Sequence, residues 1–256
     1  MEPVTTPVIP GRLWTTTGAR TPGATILVQD GRAVIMDHGM DMPTSGDLLS
    51  MLTGRPGLTL VHLVWLGWNQ GLSEAAPEHV PGSWPAALPA SVDTSPGLAL
   101  YRVGAHQAVA YYAPDAVVIA GDLLAPGVPE LSGLTLAEAR DFLLWARGQD
   151  PQAATGSRGV ALTDPASVGR AIRTRLAYLE TLEETVRDRV RSSHTARDIW
   201  CAGTWRAWPG DPRRHLINVH AAIAHVTGVP MDADAVRADL SALAPAAPAS
   251  PDPVAA

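Results

Sequence analysis

The sequence predicts a single α/β domain over residues 1–243, two β-sheets face to face with amphipathic helices outside, ahead of a Pro/Ala-rich tail (244–256) expected to be disordered. Three observations carry this. Short apolar runs separated by turn residues fill the first half, and helical periodicity fills the second. At 256 residues and 46% hydrophobic content the chain can bury a full core, a natural size for a two-sheet sandwich with outer helices.

Ala24–Gln29 is an apolar strand, Asp30-Gly31 a hairpin turn, and Arg32–Asp37 a second strand running into His38-Gly39. Leu58–Leu66 is the next strand. Residues 73–97, Pro-rich and containing Trp84, form an irregular loop suited to covering a pocket. Ala108–Asp115 reads as a strand and turn, Val117–Leu124 as a strand with its Gly121-Asp122, and Gly159–Pro165 as the end of a further strand. Thr135 and Glu138 form a capping box before a helix with Leu136, Ala139, Phe142, Leu143 and Ala146 on its apolar face. Val168, Ile172, Leu176, Leu179, Leu182, Val186 and Val190 mark a long amphipathic helix, with Glu183 and Arg187 as a solvated i,i+4 pair. Leu216–Val226 and Val236–Leu243 supply two more helices.

Composition excludes some functions. All 19 basic residues are arginine, so lysine Schiff-base chemistry is ruled out, and a net charge of -6 without a basic run argues against nucleic acid. No stretch is long and apolar enough to span a bilayer and no signal-peptide core begins the chain, so a cytoplasmic location is expected. The Arg-, Ala-, Gly- and Pro-rich composition fits a GC-rich bacterial genome. The lone Cys201 reads as a small core residue. His215, His220 and His225 step by five residues, about 140° on a helix, so they read as surface or capping histidines rather than a ligand cluster. Tyr111 and Tyr112 point to opposite faces of their strand, so at most one reaches a pocket.

In order, these landmarks resemble the metallo-β-lactamase-fold superfamily, which implies a four-layer αββα sandwich. The superfamily's H-x-H-x-D-H metal motif falls on Leu63, Trp65, Gly67 and Trp68, and its further ligands on Gly104 or His106, Asp122 and Asp164; only Asp122 is unchanged. Leucine, glycine and tryptophan supply no metal donors, so the resemblance implies a degenerate member with no metal and no cofactor. A rebuilt zinc site from His62, His106, Asp122 and Asp164 is a distant alternative, because strand alternation turns His62 away from the face of Leu63 and Trp65.

The candidate catalytic residues are therefore Asp122, Asp164, His38 and His106, carboxylates near imidazoles suited to acid/base work. Trp65, Trp68, Asn69, Gln70 and Trp84 are the candidate substrate contacts. The two tryptophans serve either as an aromatic wall or as a plug of the lost metal cavity, and Asp122 either as an acid/base group or as a backbone cap. The expected function is a metal-independent hydrolase, lyase or cyclase acting on an apolar, aromatic or polyketide-like small molecule in bacterial specialised metabolism. The alternative is a non-catalytic ligand- or protein-binding pseudoenzyme. The expected partner is the small-molecule substrate, with neither nucleic acid nor membrane; a homodimer is possible.

Overall fold

A computed structural model describes residues 4–17, 23–37, 59–65, 97–103, 107–131, 133–192, 194–202 and 207–243. Its strands form two five-stranded sheets. The first contains β1 (Val4–Ile9), β2 (Leu13–Thr17), β3 (Ala24–Gln29), β4 (Arg32–Asp37) and β5 (Thr59–Trp65), in that spatial order. The second contains β6 (Leu98–Val103), β7 (Gln107–Tyr112), β8 (Val117–Ile119), β9 (Ala153–Thr155) and β10 (Ala161–Leu162), in the order β10-β9-β8-β7-β6. Each sheet is antiparallel except for one parallel pair, β4 with β5 and β8 with β9.

The β3–β4 hairpin forms where the Asp-Gly pair predicts it: Asp30 and Gly31 both have positive φ (51° and 73°), as a type I′ turn requires. Val117 and Ile119 pack between the sheets with Leu13, Leu27, Val34 and Met36. Val118 between them faces the helices, so β8 is apolar on both sides and reads as an unbroken hydrophobic run. Ile26 and Ile35, absent from that inter-sheet cluster, are buried as well, so the first sheet is also covered on both faces.

The helices are α1 (Leu136–Gly148), α2 (Pro165–Val190), α3 (Ala196–Cys201), α4 (Pro212–Thr227) and α5 (Ala233–Ser241). The Thr135/Glu138 capping box is present at the start of α1, and all five residues predicted for its inner face are buried. Phe142, Leu143, Ile172, Leu179 and Val219 join Val109, Val118 and Ala154 in a second core between sheet and helices. Tyr112 points between the sheets and Tyr111 toward Trp145 on α1, on opposite faces as expected. No helix among the described residues is long and apolar enough to cross a membrane.

Three expectations are corrected. Cys201 is exposed at the end of α3, because the short helix turns that position outward. His215 is fully buried, whereas His220 pairs with Asp239 (2.9 Å). The wide angle between the three histidines is real, but it turns one of them into the helical core. Glu183 also does more than form a solvated pair: it receives Arg140 from α1 as well as Arg187.

Candidate functional site

Strand register decides which residues share an end of the sandwich. The Thr25 and Thr155 hydroxyls meet across the sheets at 2.9 Å. Thr25 pairs with Met36, and Asp37 pairs with Trp65; Thr155 pairs with Ile119. The C-terminal ends of β4, β5, β8 and β9 therefore lie together, and the Val103 and Gln107 ends of β6 and β7 join them. Asp122, in a 3-10 turn (Gly121–Leu124) directly after β8, sits at this end.

Asp164 does not. The strand parallel to β8 is Ala153–Thr155, and β10 runs back antiparallel to it, carrying Thr163 and Asp164 to the opposite end of the sheet. The strand rise puts them on the order of 15 Å from Asp122. There Asp164 is the N-cap of α2, accepting from the Ser167 amide at 2.8 Å. Bonds from Ser167 hold its carboxyl below the usual carboxylate range. This is a helix-capping environment, apart from the site end. Trp65 ends β5 at the site end; His38, His106, Trp68, Asn69, Gln70 and Trp84 lie outside the described residues.

The chain leaves β9 through Gly156-Ser157-Arg158-Gly159, and it is this turn that meets Asp122. Gly156 is obligatory, since a Cβ there would stand 2.2 Å from the Leu124 carbonyl oxygen. Ser157 is fully buried and its hydroxyl is turned toward the Asp122 carboxyl, short of a well-formed hydrogen bond. Thr15, with a buried hydroxyl that likewise has no partner among the described residues, pairs with Thr25 on the first sheet. The inner faces thus change from aliphatic to hydroxyl-bearing as they approach Asp122.

The second charged group is Glu130. Its amide donates to the Asp122 carbonyl at 3.1 Å, and its carboxylate accepts from the buried Arg214 Nε at 3.1 Å. Asp122 keeps a little exposed surface, yet its carboxyl is enclosed. Loss of hydration raises its pKa to about 6, with the Glu130 charge as a second cause; Ser157, Arg214 and Arg158 pull the other way.

Helix side chains hold the loop after Asp122. Arg214 donates to the Pro126 carbonyl (2.9 Å), Arg175 donates to Ala125, and Asn218 donates to Pro129 (2.8 Å) while accepting from the Leu131 amide (3.0 Å). Asn218 also donates to the Tyr178 hydroxyl (2.9 Å), which leaves Tyr178 to donate to His215 Nδ1 at 3.2 Å. His215 is therefore neutral, and burial lowers its pKa to about 4.

This histidine makes stability pH-dependent. Its folded pKa lies below the usual histidine value of about 6.5, so its contribution is complete above that value and is lost as pH falls toward 4, about 3 kcal/mol in total. Urea unfolding of the native protein and of His215→Gln should show their stability difference shrinking by that order between pH 7 and pH 4. A constant difference would remove the buried neutral histidine.

No family profile matches the sequence, and no curated protein does. Solved structures do. The chain is similar to a metallo-β-lactamase from Erythrobacter litoralis (10% identity over 68% of this chain and 92% of that one, TM-score 0.54). It is similar to the mono-zinc metallo-β-lactamase FIM-1 from Pseudomonas aeruginosa (13%, 68% and 95%, TM-score 0.53). The inverting sec-alkylsulfatase Pisa1 from Pseudomonas sp. matches over 91% of this chain and 51% of its own length, at 11% identity and TM-score 0.61. This chain spans about half of that sulfatase. It has the metallo-β-lactamase fold.

In a metallo-β-lactamase fold the site end would be expected to hold metal, and the donors among the described residues do not fit one. Leu63 and Trp65 lie on β5 where ligands are expected. Among the described residues no three His, Cys, Asp or Glu side chains come together. Asp122 is accompanied by a hydroxyl, by two guanidinium groups and by the Glu130 carboxylate, which Arg214 already pairs, and Arg158 and Arg214 would repel a dication. Ser157, Glu130, Arg158 and Arg214 escaped sequence reasoning. The signal that could have found the first and third was Gly156-Ser157-Arg158-Gly159 ending a short strand.

Proposed function

We propose that this chain is a metal-independent enzyme acting on a small molecule, with Asp122 as its proton-transferring group. The observation that supports this is the enclosed Asp122 carboxyl, held near pKa 6 beside a second carboxylate that Arg214 pairs. Two carboxylates in different surroundings divide acid and base roles, and a group titrating near neutrality both accepts and returns a proton efficiently. Asp122 would move that proton at its carboxyl oxygens, and the Ser157 hydroxyl would favour the ionised state. The fold hosts hydrolases, so hydrolysis is the leading reaction, with lyase or cyclase chemistry available to the same proton transfer. The substrate is proposed to be apolar or aromatic, with Trp65, Trp68 and Trp84 as candidate contacts, Asn69 and Gln70 as polar ones, and His38 and His106 as candidate acid/base partners.

Turnover of carboxylic esters, lactams and alkyl sulfates by the native protein and by Asp122→Asn tests the reading. Activity that disappears with the carboxyl supports it; activity that survives in the variant overturns it. A second reading, a binding protein without catalysis, draws on the replacement of the expected metal donors by Leu63 and Trp65. Tight ligand binding without turnover would favour it.

A further inference from the structure

The turn beside Asp122 contains a residue that its backbone disfavours. Arg158 (φ 57°, ψ 33°) and Gly159 (φ 73°) are the central pair of a type I′ turn closing the β9–β10 hairpin. Both central positions need positive φ, which suits Asn or Asp followed by Gly. The β3–β4 hairpin of the same chain obeys with Asp30-Gly31. An arginine at the first position crowds its Cβ against the backbone, so the turn is strained where the other is not.

Among the described residues the side chain finds no structural compensation for that strain. Arg158 is exposed and makes no hydrogen bond or ion pair among the described residues, although its field reaches Asp122. Arg214, the other guanidinium near Asp122, is committed to Glu130 and the loop carbonyls. Among the described residues Arg158 is thus a cation with no donor engaged, one residue from buried Ser157, at the end of the sandwich where Asp122 stands.

We propose that Arg158 determines substrate class: it binds an anionic group, a carboxylate, sulfate or phosphate, on the molecule presented to Asp122. A guanidinium meets such a group through two parallel hydrogen bonds, a geometry that a neutral amide or alcohol cannot reproduce. The assignment rests on the acid/base reading of the same site, but its test is separable from it.

Calorimetric titration with benzoate, phenyl sulfate and phenyl phosphate, against the neutral benzamide and phenol, reads the preference directly. The native protein is expected to bind at least one anion about tenfold or more tightly than its neutral counterpart, and the tightest anion identifies the group. Arg158→Gln should bind charged and neutral members alike. Arg158→Asn should lose the preference too, while its Tm rises by about 2 °C or more as the turn relaxes. A native protein without preference, or an Arg158→Gln protein that keeps it, overturns the proposal; an Arg158→Asn Tm that does not rise counts against the strain on which it is built. If Asp122→Asn keeps full turnover while Arg158→Gln loses the preference, the acid/base reading fails and this one stands. The converse pattern separates them the other way.

Discussion

Asp122→Asn is expected to abolish most turnover while making the protein more stable at neutral pH. A positioned proton donor or acceptor is commonly worth about 10²- to 10⁴-fold in rate, so the loss should be roughly 100-fold or more. The stability change comes from the raised pKa. The folded carboxyl titrates near 6 against about 3.8 when unfolded, so its proton is bound more tightly in the native state. That contribution is fully present below pH 3.8 and is lost as pH rises through 6. At pH 7 the enclosed charge therefore costs about 3 kcal/mol, which asparagine of the same shape removes. Unfolding in urea at pH 7 and pH 4, paired with turnover, checks both parts. A variant less stable than the native protein at pH 7 would show that Asp122 holds structure instead of storing a proton-transfer group.

Arg214→Met should destabilise the protein by about 3–5 kcal/mol, the largest loss expected from one polar side chain here. Methionine preserves much of the volume but strands three acceptors. Glu130 loses its partner at 3.1 Å, and the carbonyls of Pro126 and Val128 lose donors at 2.9 and 3.4 Å. Adding Glu130→Gln should recover only part of that loss, because the two carbonyls remain without Arg214. Denaturant unfolding of the single and double variants measures the split. A single-variant loss under about 1 kcal/mol would mean that the loop finds other donors.

Local chemistry made much of this fold legible in the sequence. Asp30-Gly31 dictates its hairpin, the Thr135/Glu138 box starts its helix, and the three- and four-residue spacing of Val168 to Val186 places α2 on the sheet. The strand that decides the site was harder to see. Ala153-Ala154-Thr155 is short, and two of its residues are small with little strand preference, so Gly159–Leu162 looked the better candidate. Choosing that neighbour moves the expected last ligand to Asp164, at the wrong end, and hides Ser157. Glu130 and Arg214 are separated by 84 residues and meet only through tertiary packing of α4, which no local pattern records. The positions of Asp122 and Trp65 at the site end were readable, because one comes directly after its strand and the other ends its own.

The clamped loop has a consequence for how the molecule opens. Between Ala125 and Leu131 four carbonyls and one amide are bonded to side chains of α2 and α4, so the segment cannot lift away without breaking bonds to both helices. Surface loops ordinarily exchange their amide hydrogens through small local fluctuations; this one should not. The Leu131 amide, bonded to Asn218, and the Glu130 amide, bonded to Asp122, are expected to exchange with deuterium as slowly as the interior of α4. Asp122 would then belong to the slowest-opening cooperative unit of the protein, held in place by helices that never touch its carboxyl.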